Sequence, residues 1–361
     1  MSAKLDYFWR KKTILSFFAV FLVITIHNSA INQYQIPPDN LTTATSFIRN
    51  FFSYNLGAVA VPFFFLVSGI ALFRDYKPSL YKQKLTRRIK TLLIPYLIWN
   101  IFGLLFAIAY TYTPLSQLIS GREAFTPTLP NILEGIFLYK YNYPFWFMYA
   151  LIIFVILTPL FHLLLSRKWL GLLSCTGFFC LCLIDQPVFG LNLSFLVFYF
   201  LGCYIGRYHL SSFTKITKPK FSALAGLTAL ITLTLRTLVI YNIISLPTII
   251  HQITLLILLL SLWFAVDSII TKIKPRKYMN EFFPIYTIHP YFIAVITKVI
   301  YLILPATSFM LLINELTSPI LTLIIVTIIS FYWHQKLPKS YTIAFGRSAH
   351  INNTIKNTIS R

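Results

Sequence analysis

Acidic residues are scarce in this chain, and so are charges of any kind. Only 9 of the 361 residues are Asp or Glu, against 31 Lys and Arg, and charged residues make up 11% of the sequence. Soluble globular domains carry about 25% charged residues, so this composition excludes a soluble protein of the ordinary kind. The long apolar stretches hold no Asp or Glu near their centres. Ion-coupled carriers generally build their sites from carboxylates within the membrane, so the sequence argues against ion-coupled transport.

The sequence also lacks the short motifs of several enzyme and binding classes. It contains no GxSxG, HExxH, Walker-type or Rossmann pattern. It has no zinc-finger spacing or basic helix either, so no nucleic acid is expected as a partner despite a formal net charge of +22. The four cysteines lie inside apolar stretches without a CxxC pair, where free cysteine is a small apolar filler, and we predict no metal site. They are Cys175, Cys180, Cys182 and Cys203.

Ten apolar stretches make up most of the chain. Most are about 17–23 residues long, which at about 1.5 Å rise per residue matches a hydrocarbon core of roughly 30 Å. All but five of the 31 Lys and Arg fall on one side of the resulting alternation, and the positive-inside rule makes that side the cytoplasm. The five exceptions are Arg49, Arg122, Lys140, Arg236 and Lys298. The stretches are roughly 13–33, 55–73, 92–112, 145–165, 169–184, 190–206, 221–240, 251–270, 282–304 and 317–335.

These patterns predict an all-α integral membrane protein of about ten transmembrane helices, with both termini in the cytoplasm (N-in and C-in). Residues 1–335 are expected to form a single multi-span membrane domain, and residues 336–361 a short basic cytoplasmic tail. The connection 74–91 carries seven basic residues and is the most cationic part of the chain. Loops 34–50 and 113–144 are expected on the outer side, where Pro and Asn favour irregular, solvated backbone.

Two histidines lie well inside apolar stretches. His27 is about 14 residues into the first stretch, and His289 lies in the ninth between Pro284 and Pro290. A titratable group deep in a bilayer is costly and marks a functional site unless a neighbouring helix satisfies it. Each proline also removes a backbone donor, and a helix broken in this way normally lines a cavity or is buried by protein. Both histidines are therefore candidate functional residues.

A set of segments along the chain carries a family pattern. In order they are VITIH at 23–27, VPFFFLVSG at 61–69, RRIKTLLIPY at 87–96, PFWFMYAL at 144–151, YFLG at 199–202 and FPIYTIH at 283–289. This ordered set resembles the bacterial acyltransferase-3 family of membrane proteins, which move acyl groups from acyl-CoA onto cell-surface glycans. The family usually has an Arg eleven residues before the first-span histidine, where this chain has Ser16. The charge would then have to come from Arg10, Lys11 or Lys12.

The resemblance implies a stand-alone membrane O-acyltransferase, most simply an O-acetyltransferase. It would move an acyl group from cytoplasmic acetyl-CoA, or another acyl-CoA, to a hydroxyl of a cell-surface polysaccharide or its lipid-linked precursor. Acyl-CoA is then a donor substrate, and no bound cofactor is expected. The expected partners are acyl-CoA, the glycan acceptor and membrane lipids, in the plasma membrane of a bacterium.

The same resemblance assigns roles to particular residues. His27 is the expected general base, because a neutral imidazole is available near pH 7, and His289 is the second catalytic candidate. Arg88, together with Arg87, is expected to bind the CoA phosphates, because guanidinium groups bind phosphate in bidentate geometry.

Four further residues complete the candidate donor and substrate site. They are Ser68, Trp146, Tyr149 and Tyr199. Ser68 also has a packing interpretation, since small residues let membrane helices approach closely, and Trp146 has one as an aromatic anchor at the membrane interface.

Two other functions remain open at this point. A glycan or lipid transporter, or flippase, would use the same kind of cavity without acyl-transfer chemistry. A membrane scaffold for a glycan synthase would do neither, and Ser16 is the feature that favours it. Transfer of a labelled acyl group by the purified protein would identify the enzyme, whereas movement of intact substrate would identify the transporter.

The predicted orientation can be tested by cysteine labelling. Single cysteines at Asn40 and Thr126 are expected to react with a membrane-impermeant maleimide added to intact cells, because both lie in loops predicted outside. A cysteine at Lys274 is the matched control and is expected to react only after the membrane is opened. Labelling of Asn40 and Thr126 variants from the cytoplasmic side alone would overturn the predicted orientation.

Overall fold

The computed structural model describes residues 3–28, 36–114, 123–183, 188 and 190–346. Within these residues the chain folds into helices, and an isolated bridge between Val188 and Leu191 is the β-type pairing there. The all-α prediction is thereby confirmed. Arg122 and the part of the predicted tail after residue 346 lie outside the described residues.

Fourteen helices are present in the described residues. They are α1 (Ala3–Ile26), α2 (Asn40–Phe73), α3 (Pro78–Tyr112), α4 (Leu129–Phe137), α5 (Tyr143–Ile156), α6 (Thr158–Leu164), α7 (Lys168–Cys180), α8 (Leu193–Tyr208), α9 (Leu210–Thr214), α10 (Pro219–Ile240), α11 (Thr248–Ile270), α12 (Lys277–Ile303), α13 (Ser308–Lys336) and α14 (Pro338–Phe345).

Six of these helices are long and apolar enough to cross a membrane, namely α2, α3, α10, α11, α12 and α13. A seventh span results if α5 and α6, which meet at an angle of 61°, are counted as one broken helix. The chain is therefore a multi-pass membrane protein. The other three predicted stretches coincide with α1, α7 and α8, of which α1 carries three consecutive basic residues and the other two are shorter. Their crossing of the membrane stays a prediction.

Several predicted helix boundaries are wrong. In most cases the helix extends beyond the apolar stretch into polar sequence. The first helix begins at Ala3 and ends at Ile26, ahead of the expected end at 33. The expected loop 34–50 is helical from Asn40 onwards, and the side chain of Asp39 caps this helix by accepting from the Thr42 backbone N–H at 2.7 Å. The expected connection 74–91 is helical from Pro78. Hydrophobicity shows only the part of a helix inside the membrane, so its polar ends resemble loops.

The expected solvated loop 113–144 is also more ordered than predicted over its described part. It contains α4, and Tyr141 and Asn142 after this helix are buried. Asn142 donates a side-chain N–H to the Trp99 carbonyl at 3.1 Å, and the Tyr96 hydroxyl donates to the Phe137 carbonyl at 2.7 Å. This segment therefore packs against the middle of α3 and not above its end.

Helix α1 lies at the centre of the assembly, where it packs against α2, α12 and α13. Helix α14, inside the segment expected to be a tail, packs against α3. The indole N–H of Trp99 donates to the Ala344 carbonyl at 2.9 Å, and Tyr341 and Phe345 are buried. Residues 338–345 thus form part of the helix assembly, on the side where Trp99 of α3 lies.

Glycines set the distance between α2 and α8. A Cβ atom at Gly202 would lie 2.1 Å from the Leu66 carbonyl oxygen, and one at Gly69 would lie 2.2 Å from the Tyr199 carbonyl oxygen. The two backbones therefore touch, as small residues permit in membrane helices. This contact fixes the position of the neighbouring Ser68 relative to α8.

Replacing the helix-contact glycine is expected to separate α2 from α8. In Gly202→Ala the new methyl group meets backbone, which cannot move aside as a flexible side chain can, so we expect a loss of at least about 1–3 kcal/mol in stability. Gly177→Ala is the matched control, because nothing lies within 4 Å of a Cβ there. The melting temperatures of the purified variants in detergent measure the difference, and equal melting temperatures would contradict the close contact.

Candidate functional site

A large cavity lies at the end of the helix assembly that carries most of the basic residues. Its volume is about 1630 Å³, above the 300–1,000 Å³ typical of sites for small ligands. Helices α1, α2, α3, α5, α12, α13 and α14 contribute to its lining. Its cations are Lys12, Arg74, Lys84, Arg87, Arg88, Lys90 and Lys277, and its carboxylates are Asp75 and Glu281. The cavity therefore favours a large anionic ligand.

Both carboxylates in the cavity wall are already bonded to neighbours. Asp75 accepts from the Arg74 guanidinium at 2.6 Å. Glu281 accepts from the Tyr341 hydroxyl, and its other oxygen lies 3.1 Å from Nδ1 of His334. Bonded in this way, the carboxylates oppose an anionic ligand less than free ones would.

The structure brings three of the predicted donor-site residues into this cavity. Arg87 and Arg88 lie where α3 changes from α- to π-helical winding, which covers Ile89–Leu93 and widens the turn. Both line the cavity together with Ser68, and Arg88 is the more buried of the two. A π-turn of this kind is frequent at functional sites.

The three basic residues of α1 have different surroundings. Arg10 donates to the carbonyls of Ile270, Thr271 and Ile273 at 2.9–3.1 Å. Lys11 is buried and pairs with Asp267, and its ammonium lies 4.3 Å from the Trp263 ring centre. Of the three, Lys12 lines the cavity.

Of the three basic residues that could replace the arginine missing at Ser16, Lys12 is the one that lies at the cavity. Lys12 and Ser16 are four apart and share one face of α1. Lys12 lies at the cavity, whereas Ser16 is buried with no hydrogen-bond partner for its hydroxyl. The i, i+4 spacing is the sequence signal that could have distinguished Lys12 from Lys11 and Arg10.

The two candidate catalytic histidines are neighbours. Their ring centres lie 5.2 Å apart, although 262 positions separate His27 from His289 along the chain. His27 lies just after the last turn of α1 and is half-buried, and His289 lies within α12 and is fully buried. The fold thus brings the two candidate histidines together, and their catalytic roles stay predictions.

A proline fixes how the His289 ring is oriented. In a regular helix the N–H of residue 290 would donate to the carbonyl of Tyr286, but Pro290 has no N–H. The Tyr286 carbonyl lies instead 2.7 Å from Nδ1 of His289. A carbonyl can only accept, so Nδ1 carries the proton, and in the neutral ring Nε2 is then the basic nitrogen.

Tyr286 lies between the cavity and the histidines. Its side chain lines the cavity, and its ring centre is 6.1 Å from that of His289. Its hydroxyl donates to the Pro144 carbonyl, which holds the ring in place. The row Tyr286, His289 and His27 therefore leads from the inner end of the cavity to the end of α1.

Besides the two histidines, three predicted site residues lie outside the cavity lining. Trp146 packs on Phe195, with ring centres 4.9 Å apart, and Tyr149 lies beside Tyr139 at 5.7 Å. Tyr199 is fully buried and packs on Phe154, with ring centres 5.1 Å apart. Their predicted roles in substrate binding stay predictions.

Three carboxylates near the ends of apolar stretches are buried. Asp267, Glu281 and Glu315 are 6% exposed or less, and Asp267 and Glu281 lie within five residues of an end of their helix. Their partners explain why burial is possible, because Asp267 pairs with Lys11 and Glu315 lies 3.5 Å from Arg49. The sequence did not show this burial, since it does not show which charges will pair. The argument against ion coupling concerned carboxylates near the centres of the stretches, and its conclusion stays a prediction.

Comparison with known families agrees with the geometry. The family model Acyl_transf_3, described as an acyltransferase domain, matches residues 14–333 and so covers most of the chain. Comparisons with curated proteins and with solved structures give no match. The matched range contains His27, His289, Arg87, Arg88 and the helices that form most of the cavity. The chain belongs to the acyltransferase-3 family of membrane proteins.

Proposed function

We propose that this membrane acyltransferase uses acyl-CoA as its donor and a hydroxyl of a cell-surface polysaccharide, or of its lipid-linked precursor, as its acceptor. The observation that carries the proposal is the histidine pair that lies behind Tyr286, a residue in the wall of a large cationic cavity. Its most economical form is an O-acetyltransferase with acetyl-CoA as substrate.

The cavity supports an acyl-CoA donor by its charge and size. CoA carries several phosphate charges, and seven Lys or Arg side chains line the cavity. Arg87 and Arg88 supply the fork-shaped donors that bind phosphate best, and Lys12 adds a charge from the opposite helix α1. The narrow pantetheine arm would then extend toward Tyr286, with the thioester directed at the histidines.

The cavity also supports the predicted orientation in the membrane. Its cations belong to helix ends and connections that the charge distribution assigns to the cytoplasm. Acyl-CoA is a cytoplasmic metabolite, so the donor would enter from that side. The acceptor hydroxyl would reach the pair from the side of His27, where α1 ends. The protein would thus carry out the transfer within the plasma membrane of a bacterium.

The reaction can be written with the two imidazoles alone. Neutral His27 takes the proton of the acceptor hydroxyl while that oxygen attacks the thioester carbonyl. The tetrahedral intermediate then releases the CoA thiolate, which takes a proton from the imidazolium, and the new ester remains on the glycan. His289, with its proton fixed on Nδ1, presents Nε2 as a second acceptor close to His27. It would thereby share the proton between the two steps.

The buried carboxylates keep a transporter or flippase as the second candidate. The two functions separate in one experiment, because an enzyme converts acyl-CoA to CoA and an acylated glycan. A flippase would move an intact glycan lipid across a vesicle membrane and leave added acetyl-CoA unchanged. Purified protein in vesicles with radiolabelled acetyl-CoA and a lipid extract from the source cells makes the comparison.

Donor binding is expected to depend on the cations of the cavity wall. Arg88→Ala and Lys12→Ala should each weaken acetyl-CoA binding by about 1.5–3 kcal/mol, the range for a hydrogen bond to a charged group. Lys215→Ala is the matched control, since this exposed lysine is outside the cavity lining. Isothermal titration of acetyl-CoA into the purified variants measures the effect. Unchanged affinity in folded Arg88→Ala protein would remove Arg88 from the donor site.

Transfer is expected to require His27. Gln keeps polarity and much of the shape but exchanges no proton near pH 7, so His27→Gln should lower the transfer rate by about 10²–10⁴-fold. Acetyl-CoA affinity should stay unchanged, because His27 is outside the cavity lining. His251→Gln, on α11, is the control and should keep the parental rate. A rate of His27→Gln within a few-fold of the parent would move the catalytic role to His289.

A further inference from the structure

His27 lies at a place where a helix alone cannot fix a side chain. Helix α1 ends at Ile26, and the backbone N–H of His27 reaches the carbonyls of Val23 and Ile24 at 3.3 and 3.1 Å. No helical turn follows within the described residues, which end here at Asn28. A group at a frayed helix end moves more than one in the middle. A general base has to stay within hydrogen-bond reach of its substrate, so the contacts that restrain this turn bear on its function.

The next residue provides such a restraint. Asn28 is fully buried, and its amide N–H groups donate to the Asn314 carbonyl at 3.2 Å and to the Glu315 carboxylate at 3.3 Å. Its amide oxygen accepts from the Thr297 hydroxyl at 3.5 Å. Asn28 is thereby bonded to α12 and α13, and α12 is the helix that carries His289.

The Glu315 carboxylate is held in turn by α2. Arg49 lies 3.5 Å from one of its oxygens, and the Ser53 hydroxyl donates to the other at 3.4 Å. Both residues belong to the π-helical part of α2, Arg49–Leu56, which places them one turn apart on one face. Arg49 is itself fixed by the Tyr54 hydroxyl, which accepts from its guanidinium at 2.8 Å. Each contact to the carboxylate is long, but three donors converge on one buried group.

Stability alone does not account for a buried group of this kind. A buried ion pair costs desolvation of both charges, and apolar residues of similar volume often stabilise a protein as well or better. Such pairs are best understood where they specify one arrangement of the chain. Here the bonds specify the position of the end of α1 relative to α12. That position sets the distance between the two histidine rings.

We propose that Asn28 and Glu315 are positioning residues for the His27 imidazole, with Arg49 holding the Glu315 carboxylate. They touch neither the cavity lining nor the reacting atoms. Their role is to keep His27 beside His289, and this inference rests on the proposed function of His27 as general base. Without Asn28, the turn after Ile26 loses the hydrogen bonds that this side chain makes to α12 and α13.

The test compares Asn28→Ala with Asn55→Ala in the full-length protein. Asn55 is the matched control, because it is an equally buried amide on α2 that is bonded to Leu233 and Thr237 of α10. Asn28→Ala is expected to lower the transfer rate by about 10²-fold, the cost of a misplaced catalytic group. Acetyl-CoA affinity should not change, and Asn55→Ala should keep the parental rate.

Two further readouts separate positioning from general stability. Asn28→Ala should have no additional effect in a His27→Gln background, because residues that act as one unit are not additive. Carbethoxylation of His27 by diethyl pyrocarbonate, followed by mass spectrometry, should be faster in Asn28→Ala than in the parent. Glu315→Ala should behave like Asn28→Ala, whereas Glu315→Gln, which keeps an oxygen for Asn28, should recover part of the rate.

The outcomes distinguish this inference from the proposed function. Parental activity in His27→Gln would refute the base assignment, whereas an inactive His27→Gln with a fully active Asn28→Ala would refute the positioning role alone. A rate loss in Asn55→Ala equal to that in Asn28→Ala would reduce Asn28 to a packing residue. If Asn28→Ala does not fold, Thr297→Val removes one Asn28 contact, and an unchanged His27 modification rate in it would count against the proposal.

Discussion

The missing N–H of Pro290 is the constraint on which the geometry of the site depends. It leaves the Tyr286 carbonyl open within a helix, in a region where an unpaired carbonyl is expensive. The His289 ring satisfies that carbonyl and is thereby given one tautomer and one orientation. The same helix segment sets the Tyr286 ring between the cavity and His289. The absent N–H of Pro290 thus helps to place both the His289 imidazole and the Tyr286 ring beside it.

The basic residues of this protein fall into two groups, those that line the cavity and those that bind other helices. Helix α1 contains both groups. Arg10 and Lys11 bind α11 and the turn that follows it, whereas Lys12 lines the cavity. Arg49, on the side predicted to be outer, is bonded to Glu315 instead. The cations of the cavity wall are those that the family activity would use, and the other buried cations hold helices together.

The sequence predicted the helices well and their ends poorly. Within the described residues the ten apolar stretches coincide with helices, one of them (145–165) with the pair α5 and α6, and six of these helices are long and apolar enough to cross a membrane. The helical residues 40–50 and 78–91 were taken for loops, because their side chains are polar. His27, His289, Arg87 and Arg88 were named from motifs, but the 5.2 Å between the histidine rings depends on how α1 packs against α12. Spacing along a chain does not encode that contact.

The hydrogen bond from Tyr286 to Pro144 links two parts of the molecule that the chain keeps far apart. Pro144 follows the segment that packs along the middle of α3, so a ligand that displaces this segment also loosens the Tyr286 ring. Under the proposed function, the thioester would stay shielded from water until an acceptor arrives. The Tyr286 ring would then limit hydrolysis of the donor by water. The order in which donor and acceptor bind would follow from how that ring is held.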